Sequence, residues 1–291
     1  MTETLLSLAE ALSGARVLCV GDVILDHFHH GSVDRISPEA PVPVLRLERE
    51  DTMLGGAGNV VRNLAALGAK ARFVTVVGKD FDGEEVARLI AEEKIVDAPL
   101  VDKGRRTSVK TRYLADGQQM LRADRETVAS LGSAIRKKLI AAVREKMKDC
   151  AVIVLSDYGK GVLDGGVAGE IIAAAAKAGK TVVVDPKGTD YRRYKGANVI
   201  SPNLRELGQA TRMAVETDED IGLAAGQLIE DLEFPAVLVT RGRNGMTLVA
   251  ADGKGTHSKH LNAEALEVFD VSGAGDTVVA TLAAALGVSA D

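Results

Sequence analysis

The sequence has no tryptophan, and phenylalanine, tyrosine and tryptophan together make up 3% of its 291 residues. So few rings offer no ladder of stacking platforms for single-stranded nucleic acid. No basic tract supplies a footprint for a phosphate backbone either. The 36 Lys and Arg are outnumbered by 41 Asp and Glu, for a net charge of -5, and nucleic acid is not an expected partner. The only two cysteines, Cys19 and Cys150, each lie in or beside an apolar run. That placement predicts small buried thiols rather than a disulfide or a metal ligand, and a reducing cytoplasm. Apolar runs such as Ala151 to Leu155 are too short to span a bilayer, so no membrane partner is expected. Met1 to Gly14 mixes Glu3 and Glu10 with leucines at helical spacing and lacks both a basic n-region and an apolar h-region, which excludes a signal peptide.

What the chain has is apolar content, 46% of its residues, enough for a large core in one or two domains. Arg16 to Asp22 is a short continuous apolar run ending in Gly-Asp, the pattern of a strand covered on both faces. Ala151 to Asp157, Thr181 to Asp185 and Ala236 to Thr240 repeat the pattern, with helical periodicity over Gly166 to Ala178 and Asp218 to Leu232. Strands alternating with helices predict an α/β fold with a mainly parallel sheet and helices on both faces. Ala71 to Val77 precedes an expected turn at Asp80 to Gly83, and Gly245 to Ala250 with Thr256 to His260 reads as a terminal hairpin exposing His257 and His260.

Two regions are patterned differently. After the proline-rich Arg35 to Pro43, Val44 to Arg49 alternates apolar and charged residues; Thr107 to Leu114, an Asp116-Gly117 turn and Gln119 to Asp124 do the same. These half-polar strands, within about 27–50 and 105–125, predict a small sheet beside the main body. Its apolar face needs a cover, either the active site, with the sheet as lid, or a second subunit.

Polar residues gather at the ends of the apolar runs: Asp22, Asp157-Tyr158-Gly159-Lys160, Asp185-Pro186-Lys187, Ser201-Pro202-Asn203 and Thr240-Arg241-Gly242. In open α/β sheets ligands bind beyond the carboxyl ends of the strands, so five such ends describe a site. Asp22 is the candidate for gripping hydroxyls; Asp26 either assists it or is only solvated. His27, His29 and His30 invite a metal reading, but no carboxylate or cysteine cluster accompanies them and Phe28 alternates with them as in a packed strand. Gly55-Gly56-Ala57-Gly58-Asn59 opens a helix capped at Gly68. Its spacing is wrong for a dinucleotide fingerprint, while its glycines admit a small ligand and Asn59 offers a donor and an acceptor to a sugar diol. Gly179-Lys180-Thr181 imitates the end of a P-loop, but Ala174 stands where the first glycine belongs and a helix precedes it.

Asp270-Val271-Ser272-Gly273-Ala274-Gly275-Asp276 leads into an Ala-, Leu- and Val-rich segment from Thr277 to Leu286. It reads equally as an anion hole, with free amides at a helix N-terminus and Asp276 taking a proton, or as a glycine-rich turn with a first-turn aspartate complementing the helix dipole.

Taken together these residues resemble the ribokinase-like (PfkB) carbohydrate kinases over the whole chain. The family's two signatures correspond to Gly55 to Asn59 with Gly68 and Gly78, and to Asp270 to Asp276. Asn203-Leu204-Arg205-Glu206 is similar to the family's N-x-x-E motif, and Thr240-Arg241-Gly242 with Gly245 to its nucleotide-phosphate loop. The resemblance implies a ribokinase-like fold with a β lid and ATP and Mg²⁺ as cofactors. Asp276 would deprotonate the acceptor hydroxyl, while Gly273, Ala274 and Gly275 hold charge on the γ-phosphoryl group. Asn203, Arg205, Glu206, Thr240, Gly242 and Gly245 would form the nucleotide site, with Glu206 and Asn203 organising Mg²⁺ through water. Asp22, Gly55, Gly56 and Asn59 would hold sugar hydroxyls.

Within the family, Arg35 to Val44, Ser156 to Gly161 and Asp185 to Asp190 resemble the D-glycero-D-manno-heptose 7-phosphate kinases. These make heptose 1,7-bisphosphate for ADP-heptose and lipopolysaccharide core synthesis. That resemblance adds Asp157 to the substrate site and Lys110, Arg112, Lys160 and Lys187 as candidate cations for the 7-phosphate, although each alone reads equally as a surface ion pair. It further implies one kinase domain over 1–291, with the family fold continuing past the catalytic helix where this sequence stops at Asp291, so that either the C-terminal end of the fold is missing or the nucleotide site is incomplete. The half-apolar lid strands predict a homodimer clasped through them. Another ribokinase-like sugar kinase and a catalytically idle sugar or nucleotide sensor are the alternatives.

Overall fold

The continuous apolar runs become neighbouring parallel strands because both faces of each are covered, so no polar alternation is needed. The computed structural model describes residues 2–253, 255–264 and 273–288; Asp270, Val271 and Ser272 lie outside them. In chain order the elements are α1 (Thr2–Ala11), β1 (Arg16–Gly21), β2 (Val23–Ile36), β3 (Pro43–Gly56), α2 (Ala57–Ala66), β4 (Lys70–Val74), β5 (Val76–Gly78), α3 (Phe81–Glu92), β6 (Leu100–Asp102), β7 (Val109–Ala115), β8 (Gln118–Arg125), α4 (Ser133–Lys146), β9 (Val152–Ser156), α5 (Val167–Lys177), β10 (Thr181–Asp185), β11 (Val199–Ile200), α6 (Leu204–Thr211), α7 (Asp218–Leu232), β12 (Ala236–Thr240), β13 (Met246–Ala251), β14 (Thr256–Leu261) and α8 (Ala274–Val288).

The large sheet has the order β14-β13-β12-β11-β10-β9-β1-β4. It is parallel from β4 to β12, and the β13-β14 hairpin extends it antiparallel. Successive side chains leave opposite faces. Val17, Cys19, Val152, Val154 and Val183 join a core with α2 and α8 through Val60, Val61, Leu64, Val279 and Ala283. Leu18, Val20, Ile153, Leu155, Val182 and Val184 join a second core with α4, α5 and α7 through Leu139, Ile171 and Ala224. Each fully buried Val, Leu or Ile contributes about 1.5–3 kcal/mol relative to exposure. The sheet is therefore a rigid platform whose carboxyl edge is left to carry polar groups. Cys19 and Cys150 are free and buried, and among the described residues no helix is long and apolar enough to cross a membrane.

The small sheet has the order β3-β2-β7-β8. Asp116 and Gly117, at φ 49° and 83°, make the positive-φ turn that a two-residue hairpin requires between β7 and β8. Parallel pairing of β2 with β7 sets Asp26 against Lys110 and Phe28 against Arg112, so these side chains share one face of the lid. The strand β2 starts at Val23, earlier than the expected lid boundary near 27.

Two further expectations are corrected. Ala71 to Val77 divides at Thr75, whose buried hydroxyl donates to the Gly21 carbonyl at 2.8 Å, and the chain then leaves the large sheet to pair β5 with β6. The Asp80 to Gly83 turn is the start of α3: the Asp80 carboxylate accepts the Gly83 N–H at 2.9 Å, and Asp82 and Glu84 complement the first helical turn,.

Candidate active site

The carboxyl ends of β1, β9, β10 and β12 meet the N-terminus of α8 on one side of the sheet. Gly273 opens α8 at φ 79°, and a Cβ there would lie 2.4 Å from Asn59 Nδ2, so glycine is required both by the backbone and by the close approach of α2. Asp276, three residues on, is 3% exposed. Asn59 Nδ2 donates to its Oδ2 at 2.8 Å and the Tyr158 hydroxyl to its Oδ1 at 2.7 Å. Burial raises the Asp276 carboxyl above its ordinary range; the two hydrogen bonds and Lys110 counter this in part, and Asp26 adds to it,. The Tyr158 phenol is driven far above its usual range by burial and by Asp276 itself, so it acts as a donor only. The amides of Ala274, Gly275 and Asp276 are in the first turn of α8 and have no acceptor within the helix,.

Two cavities meet at this carboxylate. The larger, about 830 Å³, lies under the lid, with Asp26, Phe28, Lys110 and Arg112 on one wall and Gly55, Gly56 and Asn59 on another. The smaller, about 210 Å³, is walled by the strand ends Asp157, Asp185, Lys187, Ser201, Asn203, Glu206 and Thr240. Tyr158, Gly273 and Asp276 line both. A carboxylate shared by two adjoining cavities fits a reaction between two ligands rather than the binding of one.

The family comparison is in keeping with that arrangement: the family described as pfkB family carbohydrate kinase matches residues 15–290. The chain belongs to this family. It is similar to the bifunctional protein HldE of Paramagnetospirillum magneticum, 58% identical over 289 residues, which cover 98% of this chain and 59% of that protein. Its similarity to the bifunctional protein HldE of Rhodospirillum rubrum is 51% over 286 residues, covering 98% and 57%. The pfkB-family chain therefore spans less than three-fifths of the length of these curated relatives. In fold it resembles Escherichia coli phosphofructokinase-2, with a TM-score of 0.76 at 24% identity over 93% of this chain and 86% of that one. It likewise resembles Arabidopsis thaliana ribokinase complexed with ribose and ATP, at 0.70 and 22% over 95% and 87%. The ribokinase-like α/β fold is thus that of the family, and the family's chemistry is phosphoryl transfer to a sugar hydroxyl.

Within this pfkB-family chain the residues singled out from sequence divide into three groups. Gly55, Gly56, Asn59, Lys110 and Arg112 line the large cavity, and Asp157, Lys187, Asn203, Glu206, Thr240 and Gly275 the small one, with Gly273 and Asp276 at the junction. Several of these carry internal partners. Arg112 pairs with Asp26 at 2.6 Å, Lys187 with Glu206 at 2.9 Å, and Asp157 holds the Tyr194 hydroxyl at 2.7 Å and Arg193 at 3.0 Å. Asn203 and Glu206 form a capping box at the start of α6, each side chain accepting the other's backbone N–H,; one Glu206 oxygen remains toward Lys187. Arg205, Gly242, Gly245 and Ala274 do not line either cavity, and Lys160 turns away to Glu126 at 2.6 Å.

Asp22 needs correcting. Its carboxylate, 1% exposed, is absent from both cavity walls and accepts the N–H groups of Tyr158, Lys160 and Val162, each at 3.0 Å. Burial and nearby Asp157 raise its carboxyl, and those amides draw it back. The carboxylate that β2 turns into the large cavity is Asp26, which alternates with Ile24, Phe28 and His30 on the cavity side; Glu50 and Asp51 of β3 line the same cavity. That period of two was the available signal. His27 and His29 face the opposite way, with Tyr113 stacked on His29 at 5.0 Å.

Tyr158 and Asp185 stand among the polar strand ends that describe a site, but no individual role for either is legible in the sequence. Asp185 lines the small cavity, and its carboxylate has no hydrogen-bond or ion-pair partner among the described residues. Burial, with Asp276 and Glu206 nearby, holds its carboxyl well above the usual range. Four acidic residues and one lysine line that cavity, of which Asp157 is answered by Arg193 and Glu206 by Lys187. No group of three His, Cys, Asp or Glu side chains among the described residues converges closely enough to bind a metal ion alone.

Proposed function

We propose that the chain transfers the γ-phosphoryl group of ATP to the anomeric hydroxyl of D-glycero-D-manno-heptose 7-phosphate, forming heptose 1,7-bisphosphate on the route to ADP-heptose and lipopolysaccharide core. It acts as a single cytoplasmic kinase domain. The observation that carries this reading is the position of Asp276 between a lid-covered cavity and a strand-end cavity. The acceptor hydroxyl, entering from the large cavity, gives its proton to Asp276 as its oxygen bonds the γ-phosphorus and the bond to the β–γ bridging oxygen breaks, releasing ADP. The amides at the start of α8, which have no acceptor within the helix, take up the charge that spreads over the phosphoryl oxygens,.

Asn59 and Asp26 suit sugar hydroxyls on the two walls of the large cavity. Lys110 lines the same cavity and has no ion-pair partner among the described residues; burial lowers its pKa and Asp26 opposes that. It is therefore the cation best placed to answer a new anion, with Arg112 beside it. In the small cavity Asp185, Glu206 and Asn203 would hold Mg²⁺ directly or through water, with phosphate oxygens completing its shell, and the ion would neutralise the triphosphate. Thr240 and Lys187 flank the same space.

The lid offers exposed Ile36, Leu47, Met120 and Leu121, which supports a homodimer clasped through it; a monomeric mass in solution would refute that part. For the reaction, ATP turnover should be measured with heptose 7-phosphate and a panel of free and phosphorylated sugars. Asp276→Asn should lower kcat by about 10²–10⁴. Equal rates would remove the assigned base, and a preference for another sugar would reassign the substrate.

A further inference from the structure

The general base has both oxygens held by donors from distant parts of the chain. Asn59 reaches Oδ2 from the first turn of α2, and Tyr158 reaches Oδ1 from the loop after β9, 118 residues away in sequence. Both donors lead back to one residue. The Asp22 carboxylate gathers three amides of the Tyr158 loop, and the Asp22 carbonyl accepts the Ala57 N–H at 3.0 Å, where α2 begins. The surrounding backbone leaves no slack. Gly161 in the same loop has φ 101° and would place a Cβ 2.0 Å from the Ala129 carbonyl oxygen, and Gly56 has φ 59° with a Cβ position 2.5 Å from the Asp22 carbonyl oxygen.

We propose that Tyr158 is a positioning residue for the phosphoryl transfer, fixing and stabilising the Asp276 carboxylate, and that Asp22 is the buried clamp that sets Tyr158 in place. This rests on Asp276 being the base. With one hydrogen bond on each oxygen, the carboxylate is locked in orientation while each oxygen keeps a free lone-pair direction for the incoming hydroxyl. The phenol supports the charged form of the base and lies between the two cavities without competing for the proton. An aspartate is needed at position 22 because an asparagine would turn its amide NH₂, a donor, toward a group of N–H donors.

The test compares the pH dependence of kcat and KM for wild type and Tyr158→Phe, which keeps the ring between the cavities and removes only the donor. A hydrogen bond to a charged group supports an upward shift of the acid limb of kcat by about one pH unit or more, and so a loss of about tenfold in kcat below that limb. KM for the sugar should stay within about threefold. The other ionisable groups near Asp276, namely Asp26 and Lys110 of the lid, Asp185 at the end of β10 and Cys19 in β1, are unchanged in the variant. Asp22→Asn should shift the limb in the same direction; if it fails to fold, Tyr158→Phe alone decides. An unmoved acid limb in active Tyr158→Phe, or a fall in thermal stability with no change in the profile, overturns the proposal while leaving the kinase reading intact. Absence of wild-type turnover on every sugar in the panel overturns the kinase reading and this inference with it.

Discussion

Asp97 offers a measurement of the scaffold that is independent of the site. Its side chain, 2% exposed, receives Arg72 Nε and Nη2 at 2.7 and 2.8 Å, Lys146 Nζ at 2.7 Å and the Phe73 N–H at 2.9 Å, tying β4 and the end of α4 to the chain after α3. Burial alone would raise this carboxyl, but the bonds from Arg72, Lys146 and Phe73 outweigh it and hold the pKa at about 2 against an ordinary 3.8. The folded-state value is the depressed one, so the stabilisation is fully present above the unfolded pKa and is lost as pH falls toward 2. A gap of nearly two units corresponds to roughly 2 kcal/mol, about half of it lost by pH 3. Asp97→Asn removes the charge and with it the linkage. In urea titrations the variant should be less stable than wild type by roughly 2–3 kcal/mol at pH 7, and the gap should close by about 1 kcal/mol at pH 3. A gap that stays constant from pH 7 to pH 3 would refute the assignment of this carboxylate as the depressed one.

Two substitutions probe the cavities. A Cβ at position 55 would lie 2.0 Å from Asp26 Oδ2, so Gly55→Ala should displace Asp26 and its pairing with Arg112, raising KM for the sugar about tenfold or more with little change in KM for ATP; equal effects on both would place Asp26 outside the sugar site. Glu206→Gln keeps a carbonyl to accept the Asn203 N–H, so α6 retains its cap while the cavity loses a negative charge,. The Mg²⁺ concentration giving half-maximal rate should rise several-fold without a change in melting temperature, and an unchanged requirement would free Glu206 of any part in holding the ion.

The large sheet was legible because burial on both faces erases alternation: the runs at 16–21, 152–156, 181–185 and 236–240 have continuous apolar interiors with polar residues only at their ends, and Asp218 to Leu232 coincides with α7. The lid was legible only where it alternates cleanly. Along β2 the cavity face carries Ile24, Asp26, Phe28 and His30, a mixture of apolar and polar residues in which the period of two is present but not marked by hydrophobicity. The sequence therefore places the start of the lid near 27 instead of at Val23, and favours Asp22 over Asp26, whose side chain is the one that lines the cavity. Asp97, and the contact that Tyr158 makes, are not legible for a different reason. Their meaning lies in partners from separate elements, Asp276 for one and Arg72 with Lys146 for the other, and no local spacing encodes such meetings.

The large sheet hands over to the lid through a single residue. Strand β1 ends at Gly21, β2 starts at Val23, and the returning strand β3 ends at Gly56, paired with Val23 and followed at once by α2. Asp22 is thus the residue at which the large sheet, the lid and the supports of both Asp276 donors converge: its carboxylate holds the Tyr158 loop and its carbonyl the start of α2. A substitution at that one position would therefore disturb the Asp276 carboxylate from two elements at once.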